Sequence, residues 1–303
     1  MTTINPEKVV VFHHDDLDGV CAAAVIRKLY PVAVCHSISY GGVLPIDTLE
    51  PDTALFIVDF TPETEADWQR IMGKTNNVTW IDHHQKNIEK YNFYNMALKG
   101  LRVDTKPSGA LATWQFLFPD KPVHDAVTYT SDYDTWTYDF GEHTKRFEAG
   151  MSALNSSPDS KLWIDLLSDD VITRTTTMNL VLDTGNIIVE HRKITNKKIV
   201  EKYGFSCEFE GYKVLACNAP TANSILFDSV FDKAEYDILS VFASNGKKVM
   251  ISLYSEKSNI NCADIASKYG GGGHPGAAGF QIESIPFTNI ESLKGDNTCR
   301  RLT

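Results

Sequence analysis

Short apolar runs alternate with helix-forming stretches over the first 84 residues. Four runs rich in β-branched and aromatic residues predict strands at 8–13, 32–38, 53–59 and 78–81. A stretch such as Val20–Arg27, between the first two runs, has helical composition. The alternation predicts an α/β fold, with a mostly parallel sheet and helices on both of its faces.

Polar clusters stand where three of these runs end, at residues 14–18, at Asp59 and at Asp82-His83-His84. Each cluster alone is also typical of a turn or a helix cap. In parallel sheets, however, the carboxyl ends of the strands meet at one edge, and ligands bind there. The coincidence of all three clusters at that edge predicts a functional site.

The residue types in these clusters favour divalent metal ions. His14, Asp16 and Asp18 are spaced so that an extended chain would point all three to one side. With the later clusters the predicted metal ligands are His14, Asp16, Asp18, Asp59, His83 and Asp132. Four carboxylates that close cannot all stay ionised without cations. Oxygen and nitrogen ligands without thiolate favour two Mn²⁺ ions, with Mg²⁺, Fe²⁺ or Zn²⁺ as alternatives.

The last of these ligands has a rival two residues further on. Residues 123–131 read as a buried helix that leads into Ser131-Asp132-Tyr133-Asp134. Asp132 is favoured because it directly follows the apolar helix and Ser131, and Asp134 is the alternative.

The C-terminal part has a different pattern. Strands are predicted at 212–217, 238–243 and 248–254, followed by a helix at 260–269. Four consecutive glycines then run into His274-Pro275-Gly276. Because glycine has no Cβ, its N–H groups can approach an anion closely, and His274 adds a donor. A flexible connection is the simpler reading, but the composition favours a loop that binds substrate phosphate, with Gly271, Gly272, Gly273 and His274 as its residues.

Domain organisation follows from these patterns. Residues 1–182 are predicted to form the catalytic metal-binding domain, 183–205 a helical linker, and 206–303 a smaller α/β substrate-binding domain. A chain of 303 residues is long enough for two such cores.

Composition limits the partners and the location. The net charge of −10 argues against extensive contact with duplex phosphates but allows a short phosphorylated substrate. No apolar run approaches the ~20 residues that span a bilayer, and the N-terminus lacks the features of a signal peptide. The six cysteines are scattered without a CxxC pair, so we expect reduced thiols and a cytoplasmic protein.

Four segments carry a family resemblance: HHDDLDGVCAA, FIVDF, WIDHH and TSDYDTW, between residues 9 and 136. In this order they resemble the motifs of the DHH phosphoesterase superfamily, which includes RecJ-type exonucleases, oligoribonuclease or nanoRNase enzymes and related phosphatases. Residues 252–280, which end in YGGGGHPGAAGF, resemble the DHH-associated C-terminal domain. The resemblance implies a hydrolase with two metal ions, usually manganese, and a second domain that binds the nucleotide or single-stranded end of the substrate.

The resemblance also implies roles for individual residues. Asp59 matches the bridging carboxylate, and His83 the metal-ligating histidine. His84 matches the histidine that faces the substrate phosphate, and Asp82 is expected to orient its neighbours. Tyr254 departs from the pattern, because many relatives have an arginine there. A tyrosine could instead stack on a base or donate one hydrogen bond to the substrate.

The resulting hypothesis is a metal-dependent phosphoesterase that uses a metal-bridging water to hydrolyse short oligonucleotides or a nucleotide phosphomonoester such as 3′-phosphoadenosine 5′-phosphate. Alternatives within this chemistry are a cyclic-dinucleotide phosphodiesterase and a single-strand exonuclease. Two alternatives are not enzymes: a non-catalytic module that senses nucleotides, and a protein that stores metal or uses it structurally. No membrane partner is expected, and the oligomeric state stays open, a homodimer included.

Overall fold

The structure is a computed structural model that describes residues 8–103, 106–154, 157–228 and 235–289. The chain forms two compact units, which divide between Val189 and Glu190. Both units combine strands with helices, and the predicted α/β class is confirmed.

The first unit holds four strands and eight complete helices among the described residues. These are β1 (Val9–His14), α1 (Leu17–Leu29), β2 (Val34–Ile38), β3 (Ala54–Val58), α2 (Glu65–Lys74), β4 (Val78–Ile81), α3 (Gln85–Lys90), α4 (Asn92–Ala97), α5 (Gly109–Leu117), α6 (Asp125–Asp134), α7 (Glu142–Ala153) and α8 (Lys161–Leu166). The strands are parallel in the order β2-β1-β3-β4. All five residues of β3 are buried, as expected for a central strand covered on both faces.

Alternate residues of these strands face two separate cores. Phe56 and Val58 of β3 join the core that includes α1 and α5, whereas Leu55 and Ile57 join the core that includes Trp68 of α2. The two-residue side-chain period of a strand explains this division. Helices on both faces leave the carboxyl ends of the strands as the edge where polar side chains can gather.

The chain after α4 returns beside β4 and is held there by Arg102. The backbone of Trp80 donates to the Lys99 carbonyl at 2.9 Å, so residues 99–103 extend the sheet beyond β4. The Arg102 guanidinium donates to the carbonyls of Trp80 (2.7 Å), Lys99 (2.8 Å), Leu98 (2.9 Å) and Asn95 (2.7 Å), and to the Asn95 side chain. One side chain therefore satisfies several carbonyls that would otherwise lack partners.

We predict that Arg102→Lys destabilises the protein strongly. Lysine cannot present the planar fork of donors, so several carbonyls lose their partners, at a cost of roughly 2–4 kcal/mol. Denaturant unfolding measures the change. Arg70→Lys is the matched control, because Arg70 is half-exposed and its contacts among the described residues are surface ion pairs with Asp47 and Asp67. Equal losses in the two variants would contradict the role given to Arg102.

The second unit is built on a larger, mixed sheet. Helix α9 (Val171–Tyr203) runs across the boundary between the units. It is followed by β5 (Gly204–Phe209), β6 (Tyr212–Asn218), β7 (Ile238–Ser244), β8 (Val249–Tyr254), α10 (Cys262–Ser267), β9 (Gly272–His274), β10 (Ala277–Ile282) and β11 (Thr288–Asn289). The order is β11-β5-β6-β7-β8-β10-β9, and only the β6–β7 pair is parallel. Residues of α10 pack into one core of this unit, and Val200 of α9 packs into the other.

Several predicted boundaries shift in the structure. The stretch predicted as a linker, 183–205, belongs to α9 as far as Tyr203 and then enters β5. The helix predicted at 260–269 is shorter in the structure, Cys262–Ser267. Part of the glycine segment, expected to be a loop, forms strand β9. Among the described residues no helix combines the length and the apolar composition needed to cross a membrane.

A candidate metal centre and a glycine-rich hairpin

Asp59 lies at the centre of the candidate site. It directly follows β3, and its backbone N–H continues the ladder by donating to the Ile81 carbonyl at 2.9 Å. Its φ of 51° lies in the left-handed region, which is uncommon for a residue other than glycine and is often associated with functional sites. The side chain is 1% exposed, and within the described structure neither carboxylate oxygen has a hydrogen-bond partner. A buried carboxylate in this state calls for a cation.

Three groups of ligand-type atoms surround this carboxylate. In each group the atoms lie within 4.8 Å of one another. The groups are Asp59-His83-His84, His14-Asp16-Asp59 and Asp18-His83-Asp134. His83 Nε2 lies 3.2 Å from Asp59 Oδ1 and 3.4 Å from Asp134 Oδ2. Asp59 and His83 therefore connect the groups, and five of the six predicted ligands come together.

The turn from β1 into α1 places the first ligands. Asp16 caps α1 by accepting from Gly19 N at 2.9 Å, and its other oxygen accepts from His14 Nδ1 at 2.6 Å. Asp18 lies in the first turn of the helix, so the fully extended geometry predicted for residues 14–18 is wrong. The three side chains still reach the cluster because the strand, the cap and the helix turn end at the same edge. His13 is buried, and its Nδ1 donates to the His14 carbonyl at 2.6 Å.

The first turn of α5 holds Asp18 in place. Ser108 Oγ donates to Asp18 at 2.6 Å, and Ala110 N lies 3.2 Å from both of its carboxylate oxygens. Gly109 allows this approach, because a Cβ at that position would lie 2.5 Å from Asp59 Cβ. Ser108 is also the N-cap of α5, because its side chain accepts from Leu111 N. Its hydrogen bond to Asp18 was not predicted from the sequence.

Asp82 supports the two histidines that follow it. It is fully buried and accepts from His83 N at 2.8 Å, from His84 N at 3.1 Å and from His84 Nδ1 at 2.8 Å. Its other oxygen accepts from Thr61 Oγ1. These bonds fix the orientation of the His84 ring, which remains 30% exposed at its side chain. The geometry agrees with an orienting role for Asp82 and leaves His84 accessible to a ligand.

The structure favours Asp134 over Asp132 as the metal ligand. Its carboxylate accepts from Thr137 Oγ1 (2.8 Å), Asp139 N (2.7 Å), Phe140 N (3.2 Å) and Thr144 Oγ1, so its oxygens are already used. Asp134 joins the metal group instead. Helix α6 continues to Asp134, and residues two apart on a helix point to different sides. Ala126, Thr130 and Asp134 are spaced four residues apart and so lie on one side of α6, where Ala126 and Thr130 are buried. This spacing was the sequence signal that favoured Asp134.

Burial and mutual repulsion shift the pKa values of the carboxyl groups in the cluster. Burial, followed by the charges of Asp18, Asp16 and Asp134, raises the pKa of Asp59 well above its ordinary value. Burial also raises the pKa of Asp18 and, with the charges of Asp18 and Asp16, that of Asp134. Burial opposes protonation of His84, but the hydrogen bond and charge of Asp82 outweigh it and raise the His84 pKa. Ionised together, these carboxylates would repel one another.

The residues present fit divalent cations. The donor set is carboxylate oxygen and imidazole nitrogen, which suits Mn²⁺, Mg²⁺, Fe²⁺ or Zn²⁺. The unsatisfied oxygens of Asp59 and its membership of two groups suit a carboxylate shared between two ions. His14, Asp16, Asp18, Asp59, His83 and Asp134 would hold them.

We predict that Asp59→Asn raises the melting temperature of the metal-free protein by a few degrees at pH 7.5. Because folding raises the pKa of Asp59, its ionised form opposes folding, and this cost grows as the pH rises above the ordinary value of 3.8. The variant should also lose most of the further stabilisation that Mn²⁺ gives the wild type.

Thermal unfolding with and without Mn²⁺, repeated at pH 5 and pH 7.5, measures both effects. Asp47→Asn, whose side chain is 82% exposed, is the control and should change neither. A metal-free Asp59→Asn protein that melts below the wild type at pH 7.5 would contradict the assigned repulsion.

In the second unit the glycine-rich segment forms a hairpin with β10. Gly270, with φ of 74°, ends α10, and Gly271 N donates to the Ala266 carbonyl at 3.0 Å. A Cβ at Gly271 would lie 2.1 Å from the Gly279 carbonyl oxygen, so this glycine is required by packing. At Gly272 a Cβ would meet no described atom within 4 Å. Packing therefore explains part of the glycine run and leaves Gly272 open to a ligand.

Tyr254 and His274 occupy one row of this sheet. The register pairs Ala277 of β10 with Tyr254 of β8 on one side and with His274 of β9 on the other. Paired residues share a face of a sheet, so the two predicted substrate-binding side chains lie on the same face. His274 is exposed and Tyr254 is partly buried.

Comparisons with known proteins agree with this architecture. The DHHA1 domain family model matches residues 215–294. The oligoribonuclease NrnB of Bacillus subtilis is 24% identical over 333 aligned positions, which cover 94% of this chain and 80% of that protein. A solved DHH domain, from a member of the s1p family of ribosomal proteins, superposes with a TM-score of 0.59 at 13% identity, covering 95% of this chain and 84% of the other. The DHHA1 match and the likeness to NrnB support the resemblance to the DHH superfamily.

A further relative shows how far this likeness extends. The uncharacterised protein R106 of Acanthamoeba polyphaga mimivirus is 25% identical over 231 residues, which is 73% of this chain. The chain spans about half, 52%, of that viral protein. The match to the DHHA1 domain includes Tyr254 and the glycine hairpin, and so agrees with the predicted DHH-associated C-terminal domain.

An aromatic residue that the sequence did not single out borders the metal cluster. The Tyr40 ring lies 5.2 Å from the His14 ring and 6.4 Å from the His84 ring, measured between centroids, and it is 42% exposed. Asn87 Nδ2 donates to its hydroxyl at 3.3 Å. Its position in a loop, far from the motifs in sequence, gave no pattern that could have identified it.

Proposed function

We propose that this DHH superfamily protein is a divalent-metal-dependent phosphodiesterase that hydrolyses short oligonucleotides. The observation that carries the proposal is the buried, unsatisfied carboxylate of Asp59 between two groups of metal-ligand atoms. The likeness to an oligoribonuclease along 94% of the chain supports short nucleic acids as the substrate class. The net charge of −10 supports a substrate with few phosphates.

Divalent ions held by these residues would supply charge neutralisation at the phosphoryl group and a more acidic attacking water. His84 donates through Nδ1 to Asp82, which leaves Nε2 for the substrate. Its raised pKa favours the protonated ring, so His84 stabilises a phosphoryl oxygen or transfers a proton to the leaving group.

We assign the second unit to substrate binding. Gly272 and His274 are accessible on the hairpin, and Tyr254 shares a face of the sheet with His274. An exposed imidazole beside open backbone suits a phosphate or a terminal hydroxyl. This assignment follows the predicted division into a catalytic domain, a helical linker and a substrate-binding domain.

The cysteines support a reducing compartment such as the cytoplasm. Cys21, Cys35, Cys207, Cys217 and Cys262 are all free, and all but Cys35 are buried. Cys299 lies outside the described residues. Free, buried thiols are typical of intracellular proteins.

Turnover of a 5′-labelled dinucleotide with Mn²⁺ tests the activity. We expect wild type to cleave it, and Asp59→Ala to lose at least about a hundredfold in kcat/KM because both metal groups lose their shared carboxylate. Asp47→Asn should keep full activity.

A panel of di- to decanucleotides, cyclic dinucleotides and 3′-phosphoadenosine 5′-phosphate then ranks the substrates by kcat/KM. Highest activity on a cyclic dinucleotide, or on the longest strands, would replace the short linear substrate with one of the alternatives. Tight nucleotide binding without metal-dependent hydrolysis of any of them would overturn the enzymatic proposal in favour of a nucleotide sensor.

A second prediction concerns His274→Ala. This variant should raise KM for dinucleotides about tenfold or more, because a hydrogen bond to a charged phosphate is lost. Hydrolysis of the small diester bis-p-nitrophenyl phosphate should change little, since that substrate needs only the metal cluster. His191→Ala, an exposed histidine on α9, is the control. Equal losses on both substrates would remove the substrate-binding role of His274.

A further inference from the structure

Trp136 differs from every other tryptophan of the chain. The sequence contains five tryptophans, and Trp68, Trp80, Trp114 and Trp163 are at most 1% exposed. Trp136 is 48% exposed. Burial of a large aromatic ring is strongly favourable, so packing alone does not account for a ring left half in solvent.

The backbone at Trp136 is held in an unfavourable conformation. Its φ of 54° lies in the left-handed region, where a bulky side chain is an outlier. Such conformations persist where the surrounding structure enforces them, and they concentrate at sites that bind ligands. Glycine would fit this position without strain, which makes the choice of tryptophan informative.

Asp132 enforces this conformation. Its carboxylate accepts from the side chain of Thr137 and from the backbone of Asp139 and Phe140, all within the loop that follows α6. Trp136 N donates to the Tyr133 carbonyl at 3.1 Å and closes the loop on its other side. The acid expected to bind metal therefore organises the segment that presents the tryptophan.

The loop starts at the metal cluster. Trp136 lies two residues after Asp134, which approaches His83 to 3.4 Å. Its ring stacks loosely on Tyr133, with centroids 6.2 Å apart and an interplanar angle of 26°. It meets the Tyr138 ring edge-on at 5.7 Å. An aromatic surface with one half-exposed ring thus lies on the loop that directly follows Asp134.

We propose that Trp136 stacks on a nucleobase of the substrate and that Asp132 is a positioning residue that holds it there. The inference rests on the proposed function and adds a specificity-determining contact to it. Stacking on an aromatic ring accepts every base and adds affinity without positive charge, which suits an acidic protein. It selects substrates with a base next to the cleaved phosphodiester over simple diesters.

Fluorescence provides a test that does not depend on hydrolysis. Because the other four tryptophans are buried, the exposed ring of Trp136 should dominate quenching by acrylamide. A non-hydrolysable phosphorothioate dinucleotide should protect the wild type from acrylamide, and the same dinucleotide with both bases removed should not. Trp136→Phe should show little quenching or protection in either case. Equal protection by the abasic compound would overturn the proposal.

Kinetics separate the roles of the two acids and the ring. Trp136→Ala should raise KM for a dinucleotide about 10- to 100-fold with little change in kcat, the expected loss of one stacked base. On abasic dinucleotides the same substitution should have no effect. Asp132→Asn should raise KM for the dinucleotide as Trp136→Ala does, whereas Asp134→Asn should lower kcat. Phe116→Ala, a 38% exposed aromatic at the far end of α5, is the control.

A stability measurement distinguishes binding from packing. Trp136→Gly relieves the left-handed backbone, so its melting temperature should equal or exceed that of the wild type while its KM rises. A lower melting temperature with unchanged KM would overturn the proposal and make Trp136 a structural residue. If the wild type hydrolyses dinucleotides and Trp136→Ala has the same KM, the stacking inference fails and the proposed function stands. If the wild type hydrolyses no oligonucleotide, the proposed function fails, and the fluorescence experiment still decides whether Trp136 stacks.

Discussion

The repulsion among buried carboxylates around Asp59 is the constraint on which the rest of the structure depends. Asp59 is 1% exposed, has no hydrogen-bond partner among the described residues, and lies near Asp18 and Asp134. A protein stabilised only by its own contacts would place an apolar side chain there. Binding of a cation would relieve this repulsion, so the proposed metal binding and the local instability have one physical cause.

The surroundings of the cluster are arranged so that each acid keeps one position despite this repulsion. Ser108 and Ala110 hold Asp18 from α5, and Thr61 and His84 hold Asp82. Each supporting group is a donor, and Ala110 lies on a helix that packs into the core beside the parallel sheet. Hydrogen bonds from these donors hold the carboxylates in the positions needed to bind cations.

Sequence reasoning succeeded where strand periodicity determines position. The apolar runs located the strands to within a few residues, and the acids after them lie at the expected edge. It could not decide between Asp132 and Asp134, because that choice depends on where helix α6 ends and on which face of the helix is turned to the sheet. The contacts of Tyr40 and Ser108 join segments distant in sequence, and a local pattern carries no information about them. The glycine run was ambiguous for a different reason, since close packing of strands and close approach to an anion both require glycine.

The net charge shows how binding energy must be distributed in this protein. An acidic chain repels a polyanion at long range, so the proposed function requires cations at the Asp59 cluster to neutralise the scissile phosphate. They do so equally for any phosphodiester and therefore contribute little to selectivity. Selectivity has to come from uncharged contacts, which neither screening nor net charge weakens. The proposed stacking of Trp136 on a base is a contact of this kind, and it is consistent with a substrate that carries few phosphates.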